Sequence, residues 1–314
     1  MTARLLEAVP NFSEGRDLSV VEAIVEAMRA AGADVLDWSA DPDHHRAVVT
    51  VVGSPAVVEE AAVAGARVAV ERIDLRRHDG IHPRIGALDV LPFVPLVGLT
   101  QEDAVASARR VGERLAREVG IPVYFYAQAA DPVGRGLAEL RAGGYELLVQ
   151  GWPPERVPDV LPPGWSHAGV HPTAGATCVG ARPLLLAWNV FVEGVERETA
   201  AQIARTLRES GGGMKGLRAL ALYLPQRTAL QVSMNVEDVN ATSPMAVFRR
   251  LEVLLARHGG RIVETEVIGL VPDVLVLEAA AERLRLQPGT TDRLLSTRLL
   301  QHLAAYAGSE AGDA

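Results

Sequence analysis

The order in which the apolar period changes along this chain constrains its fold more than any single word in it. Leu5–Val9 has the pattern of a strand and Leu18–Ala31 that of a helix stopped by Gly32. Val35–Trp38 and Ala47–Val52 return to strand spacing, Ala56–Ile73 is helical, and Ala87–Val94 is strand again. Repeats of two residues and of 3.6 residues separate these states. Beyond residue 182 the same order returns. Leu184–Phe191 is a strand and Arg197–Ser210 a helix that breaks at Gly211-Gly212-Gly213. Leu217–Leu224 and Leu230–Asn235 are strands, Ser243-Pro244 caps a helix to His258, and Ile262–Val271 is the last strand. Two β-α-β-β-α-β units predict an α/β (α+β) protein of two related ferredoxin-like subdomains, residues 1–182 and 183–314, with a ligand cleft between them.

Between and after these units the pattern is less regular. Thr100 with Asp103 forms a capping box for a helix to Val119, followed by a strand over Ile121–Tyr126. Trp152–Thr173 is rich in proline and holds two tryptophans and two histidines without periodicity. Structureless stretches of that length in compact proteins are often functional, so this one is expected to line the cleft. Two helices, Val274–Arg283 and Thr291–Tyr306, precede a small polar tail.

A formal net charge of −8 argues against nucleic acid as a bulk partner. No apolar run approaches the ~18 residues that span a bilayer, and no basic segment followed by an apolar one opens the chain. A cytoplasmic protein is therefore expected, with neither membrane nor nucleic acid as partner. The lone cysteine, Cys178, excludes a disulfide framework and sits among small and β-branched residues, as an inert buried thiol does. An acidic protein that binds an anion must gather its arginines locally. Arg46, Arg84 and Arg182 are the candidates, because each lies beside a loop word rather than along a helix face.

The densest polar chemistry is Arg77-His78-Asp79-Gly80-Ile81-His82-Pro83-Arg84, just ahead of the apolar strand. Titrating groups on a loop anchored to a buried strand are what a catalytic or anion site needs. The H-x3-H spacing of His78 and His82 would hold zinc on a helix, but Gly80 and Pro83 break any helix there, and no third ligand word accompanies them. No metal is expected. A second polar cluster, Asp37–Arg46, carries three carboxylates ahead of His44 and His45.

Arg77–Pro95 resembles the Arg-His-x-Gly-x-His-Pro-Arg-x-Gly-Ala-x-Asp-Val-x-Pro-Phe-x-Pro stretch of the formiminotransferase family, the glutamate formimidoyltransferases. Val9-Pro10-Asn11-Phe12-Ser13-Glu14-Gly15, Ile121–Tyr124, Arg141–Glu146, Gly175–Arg182, Gln231–Asn235 and Gly269–Pro272 are similar to further family words in the same order, so the resemblance covers residues 5 to 285. It implies transfer of the formimino group of N-formimino-L-glutamate to tetrahydrofolate, the co-substrate, giving 5-formimidoyltetrahydrofolate and L-glutamate in histidine breakdown. In this reaction a ring nitrogen attacks an amidine carbon. It must lose a proton, and the glutamate nitrogen must gain one before it leaves. One imidazole with a pKa near 6.5 can do both.

The resemblance assigns that role to His82, leaving His78 as an orienting or structural partner. It implies that Asn11 faces ligand and that His171, Pro172, Thr173 and Gly175 lie at the folate subsite. Ser39, Asp41, His45 and Arg46 of the second polar cluster, with the anion-binding candidates Arg84 and Arg182, complete the expected substrate- and folate-binding set. A second copy of the chain is the expected protein partner. Departures exist. Mammalian members carry an aspartate at the position of Ser39, His45 replaces an asparagine, and Gln128 replaces a glutamate. They leave room for formyl transfer, or for a non-catalytic folate-binding protein on the same scaffold.

Overall fold

The computed structural model describes residues 4–239, 241–271 and 273–285. The chain forms two compact units, Arg4–Arg182 and the residues from Pro183 onward. The N-terminal unit runs β1 (Leu6–Ala8), β2 (Asn11–Phe12), α1 (Leu18–Ala30), β3 (Asp34–Asp41), β4 (Arg46–Gly53), α2 (Pro55–Arg72) and β5 (Leu88–Pro95). It continues with α3 (Gln101–Arg114), β6 (Val123–Ala127), α4 (Leu137–Leu140), α5 (Gly144–Leu148) and β7 (Thr177–Ala181). One seven-stranded sheet results, in which β1 and β2 both lie antiparallel between β4 and β5, β3 edges β4, and β7 then β6 extend the far side in parallel. The β-α-β-β-α-β order is present, and a further α-β-β addition widens its sheet.

Local signals explain the helices. The side chain of Asp17 accepts the Ser19 amide at 3.0 Å and caps α1, whose buried face is Val20, Val21, Ile24, Val25 and Met28. In α2 the facing residues are small, and a Cβ on Gly65 would lie 3.0 Å from Met28 Cγ, so the two helices touch closely. Thr100 and Asp103 form the expected capping box on α3. That helix ends at Arg114 and passes into a π-helical turn, Leu115–Val119, closed by Gly120 at φ +80°. Strand β4 is buried from Ala47 to Val52 and β5 from Leu88 to Val94, on both faces. Both faces are thus covered in the middle of the sheet, which is why β5 reads as a continuous apolar run.

The second unit is β8 (Leu186–Glu193), α6 (Arg197–Leu207), β9 (Leu217–Leu224), β10 (Ala229–Val236), α7 (Pro244–Ala256), β11 (Arg261–Ile268) and α8 (Asp273–Leu284). Its antiparallel sheet has the order β11-β8-β10-β9. Trp188, Val190, Val192, Val232, Met234 and Val236 pack with Ile203, Leu207, Val247 and Leu251 of the helices. In this unit the strands β8 and β11 differ most from the sequence expectation. β8 begins at Leu186, because Leu184 follows a proline and is 55% exposed. β11 covers Arg261–Ile268 rather than Ile262–Val271, its register ending at Ile268 opposite Ala187. The expected helix Thr291–Tyr306 and the polar tail lie outside the described residues. Among the described residues no helix is long and apolar enough to cross a membrane.

Candidate active site

Three loops meet at one end of the N-terminal sheet: the one after β2, the β3–β4 turn, and the one before β5. Two glycines permit the approach. A Cβ on Gly15 would sit 2.2 Å from the Asp41 carbonyl oxygen, and one on Gly80 would sit 2.4 Å from that of His44. Arg16 adds an exposed clasp, with Nη1 on Asp79 at 2.5 Å and Nε on the Pro42 carbonyl at 3.0 Å. The polar stretch Asp37–Arg46 is therefore only partly loop. β3 runs to Asp41 as an edge strand, and the turn is confined to residues 42–45.

Asp89 is the centre of the arrangement and is fully buried. The pairing of β2 with β5 slips from Asn11↔Val90 to Phe12↔Leu88, so Asp89 is the extra residue of a bulge. A bulge re-aims a side chain that the pleat would send elsewhere. Asp89 accepts the Ile85 amide at 2.8 Å, Arg46 Nη1 at 2.8 Å, and Arg141 Nη2 from the segment between α4 and α5. Arg46 also donates through Nε and Nη2 to Asn11 Oδ1, at 3.0 and 2.8 Å, and Asn11 in turn donates to the Val9 carbonyl. Burial by itself would raise the Asp89 pKa, but the Arg141 and Arg46 guanidiniums outweigh it and hold the carboxyl well below the usual range. Burial pulls Arg46 down to about 10 against the attraction of Asp89. Two guanidiniums share one carboxylate, so the cluster keeps a net positive charge inside an acidic protein.

His82 is half-buried beside this cluster. Its Nδ1 lies 2.8 Å from the Pro83 carbonyl oxygen and 3.2 Å from Arg46 Nη1. A protonated Nδ1 donates to the carbonyl, whereas a bare Nδ1 accepts from the guanidinium, so each proton state has its own partner. Burial, and then the charge of Arg46, keeps the ring well below the usual imidazole range, hence neutral near pH 7. His44 approaches it edge-on at 6.0 Å and is tied to Asp41, whose carboxylate accepts its amide at 2.8 Å and lies 3.3 Å from Nδ1.

The remaining histidines are anchored by backbone. His78 Nε2 donates to the His45 carbonyl at 2.8 Å and Nδ1 accepts the Gly80 amide at 3.2 Å. That fixes a neutral tautomer, and burial brings its pKa down to about 4. Its ring stacks on His45 at 4.3 Å. His45, at φ +50°, accepts the Gly15 amide at 3.1 Å with Glu14 Oε1 3.4 Å away.

Of the residues singled out in the sequence, Asn11, Arg46 and His82 are in direct contact, with Asp41 joined through His44. Ser39 is exposed on β3 and shares the register row of Val48 and Asn11. Arg84 is buried and serves internal groups, donating to Glu146 Oε1 at 2.7 Å and to the His78 carbonyl at 2.8 Å. His171 Nδ1 accepts the amides of Thr173 and Ala174 at 3.3 and 3.0 Å, and the Pro172 carbonyl accepts Tyr145 Oη. Gly175, at φ +69°, would place a Cβ 1.9 Å from the Ile85 carbonyl oxygen. Segment 171–175 is thereby stitched to the strand entry. Arg182 lies past the other end of β7, where its amide donates to the Phe93 carbonyl at 3.0 Å. Sequence reasoning missed Arg141 and the central place of Asp89. The available signal for Asp89 was a carboxylate inside an otherwise apolar strand. Among the described residues no group of three or more His, Cys, Asp or Glu side chains is arranged to hold a metal ion.

Family comparison covers both units. A model of the formiminotransferase domain, N-terminal subdomain, matches residues 5–182, and one of the formiminotransferase domain matches residues 187–288. A glutamate formimidoyltransferase of Streptococcus pyogenes serotype M1 is 37% identical over 287 residues, covering 91% of this chain and 95% of the relative. One of Thermoplasma acidophilum is 36% identical over 304 residues, 94% of this chain and 97% of the relative. The formimidoyltransferase-cyclodeaminase of Sus scrofa is 40% identical over 292 residues, 89% of this chain, which spans only 52% of that relative's length.

Proposed function

This chain belongs to the formiminotransferase family, and from that premise we propose that it is a glutamate formimidoyltransferase. It transfers the formimino group of N-formimino-L-glutamate to tetrahydrofolate and releases L-glutamate, in histidine breakdown. The observation that carries the reading is the neutral His82 imidazole held 3.2 Å from Arg46, beside a buried carboxylate that two guanidiniums share.

His82 is the general base and then the general acid. It takes the proton of the attacking folate nitrogen and returns it to the glutamate nitrogen as the carbon–nitrogen bond to glutamate breaks. A ring that is neutral at pH 7 is ready to accept, and once protonated in that positive setting it gives its proton up readily. Such a shuttle contributes roughly 10²- to 10⁴-fold to rate. Arg46 and Arg141 supply the positive charge that draws a substrate carboxylate, and Asn11 holds Arg46 in place. Ser39, Asp41 and His45 face the formimino end, and Arg84 supports the His82 loop through the His78 carbonyl. His171, Pro172, Thr173, Gly175 and Arg182 belong to the folate side. The working form is a cytoplasmic homodimer whose ligands are small molecules, without a metal.

Mixing the protein with N-formimino-L-glutamate and tetrahydrofolate, and following the absorbance of the folate product, tests this directly. Product formation that is faster with N-formyl-L-glutamate than with the formimino substrate would reassign the transferred group. Binding of folate without turnover of either would make the protein a folate-binding scaffold.

A further inference from the structure

The groups around the His82 ring do not hold it alike. Its Nδ1 meets the Pro83 carbonyl at 2.8 Å, a contact between adjacent residues that leaves the ring no firmer than its own loop. Arg46 Nη1 lies 3.2 Å from the same nitrogen. For His82 to accept a proton at Nε2, Nδ1 must carry the hydrogen, and it then stands as one donor beside another. The Arg46 contact therefore works against the reactive form, and against the imidazolium still more. The His44 ring is different. It lies edge-on to His82, 6.0 Å between centroids and 78° between planes. Ring packing of that kind needs no particular proton on His82, so it survives each stage of a proton shuttle.

His44 is itself firmly placed. One carboxylate takes both its backbone and its ring: Asp41 Oδ1 accepts the His44 amide at 2.8 Å, and Oδ2 lies 3.3 Å from Nδ1. A hydrogen on Nδ1 donates to that oxygen, which fixes the tautomer. Asp41 is the last residue of β3 and pairs with Arg46 at the start of β4, so the sheet anchors the carboxylate. The turn that holds His44 also carries the His82 loop. The Asp43 carbonyl accepts the Ile81 amide at 3.3 Å, and the His45 carbonyl accepts His78 Nε2 at 2.8 Å. Gly80 packs so closely on this turn that a Cβ there would lie 2.4 Å from the His44 carbonyl oxygen. Turn and loop thus form one body, all of it within the N-terminal unit.

We propose that His44, fixed by Asp41, is a positioning residue for the His82 proton shuttle: it seats the catalytic ring edge-on and keeps Nε2 turned to the substrates. This role rests on the proposed transferase activity. His44 acts through His82, as the supporting groups of a preorganised site do. It also walls the ring from water, being buried itself. Burial is the main cause that holds His82 below the usual imidazole range; Arg46, Arg141 and His44 add to it, and Asp89 opposes. Opening the wall lets water in and returns the ring toward 6.5.

The test compares wild type, His44→Ala and His44→Phe in kcat, KM for both substrates and melting temperature. In each protein kcat is followed over pH and the His82 imidazole is titrated by NMR. Misplacing a reacting group by about 1 Å costs on the order of 10²-fold, so His44→Ala is expected to lose about 10- to 100-fold in kcat with both KM values within about twofold of wild type. Its acid limb and its His82 titration should both move up toward pH 6.5. Phenylalanine keeps an edge-on ring and a dry wall, so His44→Phe should hold kcat within about threefold of wild type and leave the His82 titration low. Equal losses in the two variants overturn the assignment, as does a His82 titration that is the same in all three proteins. If His44→Ala does not fold, His44→Phe decides alone: a kcat loss beyond about threefold at an unchanged melting temperature overturns the seating. A wild type without turnover, whose His82 still titrates below that of His44→Ala, overturns the transferase activity and supports the seating.

Discussion

Replacing Asp89 with alanine removes the one anion that two buried guanidiniums share. The carboxylate is fully buried and accepts from Arg46 at 2.8 Å, from the Ile85 amide at 2.8 Å, and from Arg141. Deleting one partner of a buried ion pair costs about 3–5 kcal/mol, because the other charge is left unpaired. Here two like charges are left, so Asp89→Ala should fall at the upper end, about 4–5 kcal/mol by the same measure. For a protein of this size each kcal/mol moves the melting temperature about 2–4 °C, which predicts a fall of roughly 8–20 °C. Asp89→Asn keeps an acceptor for the Ile85 amide and should lose about half as much. Thermal unfolding checks both values. The double variant Asp89→Ala/Arg141→Met should recover at least about 1 kcal/mol relative to additivity, since the second change removes one of the stranded cations. A melting temperature for Asp89→Ala within about 2 °C of wild type, or strict additivity in the double variant, would refute the idea that the carboxylate organises the site.

Acid should destabilise the fold in a defined window. His78 has its pKa lowered from 6.5 to about 4 in the folded chain, so between those values the unfolded chain binds a proton that the folded ring refuses. Stability is present above pH 6.5 and falls as pH drops toward 4, by about 2 kcal/mol between pH 7 and 5, with His82 acting in the same direction. Urea unfolding at pH 7, 6 and 5 measures this, and a flat profile would contradict it. Arg84→Lys and Arg182→Lys separate ligand binding from internal pairing. Arg84→Lys loses the simultaneous bonds to Glu146 and the His78 carbonyl, so a stability loss of about 1–3 kcal/mol is expected with KM for N-formimino-L-glutamate little changed. Arg182→Lys should raise the KM for tetrahydrofolate instead. Unchanged KM values for both substrates, with stability lowered in both variants, would make both arginines structural.

Much of the fold is legible in the sequence because it is carried by local pattern. The alternation of Leu217–Leu224 and Ala229–Val236 and the i, i+3, i+4, i+7 stripe of Ala200, Ile203, Ala204 and Leu207 announce their elements without help from distant residues. Strand β7 carries no such signal. Thr177-Cys178-Val179-Gly180-Ala181 is short and built of small residues, and its parallel partners β5 and β6 lie far away in sequence. β3 was legible only to Trp38, because an edge strand with an open side tolerates Asp37, Ser39 and Asp41, which look like loop. The site divides the same way. His82 and Arg46 stand in dense polar words, but Arg141 sits in a glycine-rich stretch and meets Asp89 across 52 positions. That contact depends on a bulge, which adds one residue to the pairing and leaves no mark in composition.

The central claim is that His82 moves the proton in formimino transfer, and the kcat of His82→Ala over a range of pH tests it most directly. The account predicts a loss of at least about 10²-fold at pH 7. Tetrahydrofolate affinity and melting temperature should stay close to wild type, and the wild-type rate should hold down to a pH well below 6.5, because the ring stays neutral there. Near-normal turnover by His82→Ala would contradict the claim and move the role to His45 or His78.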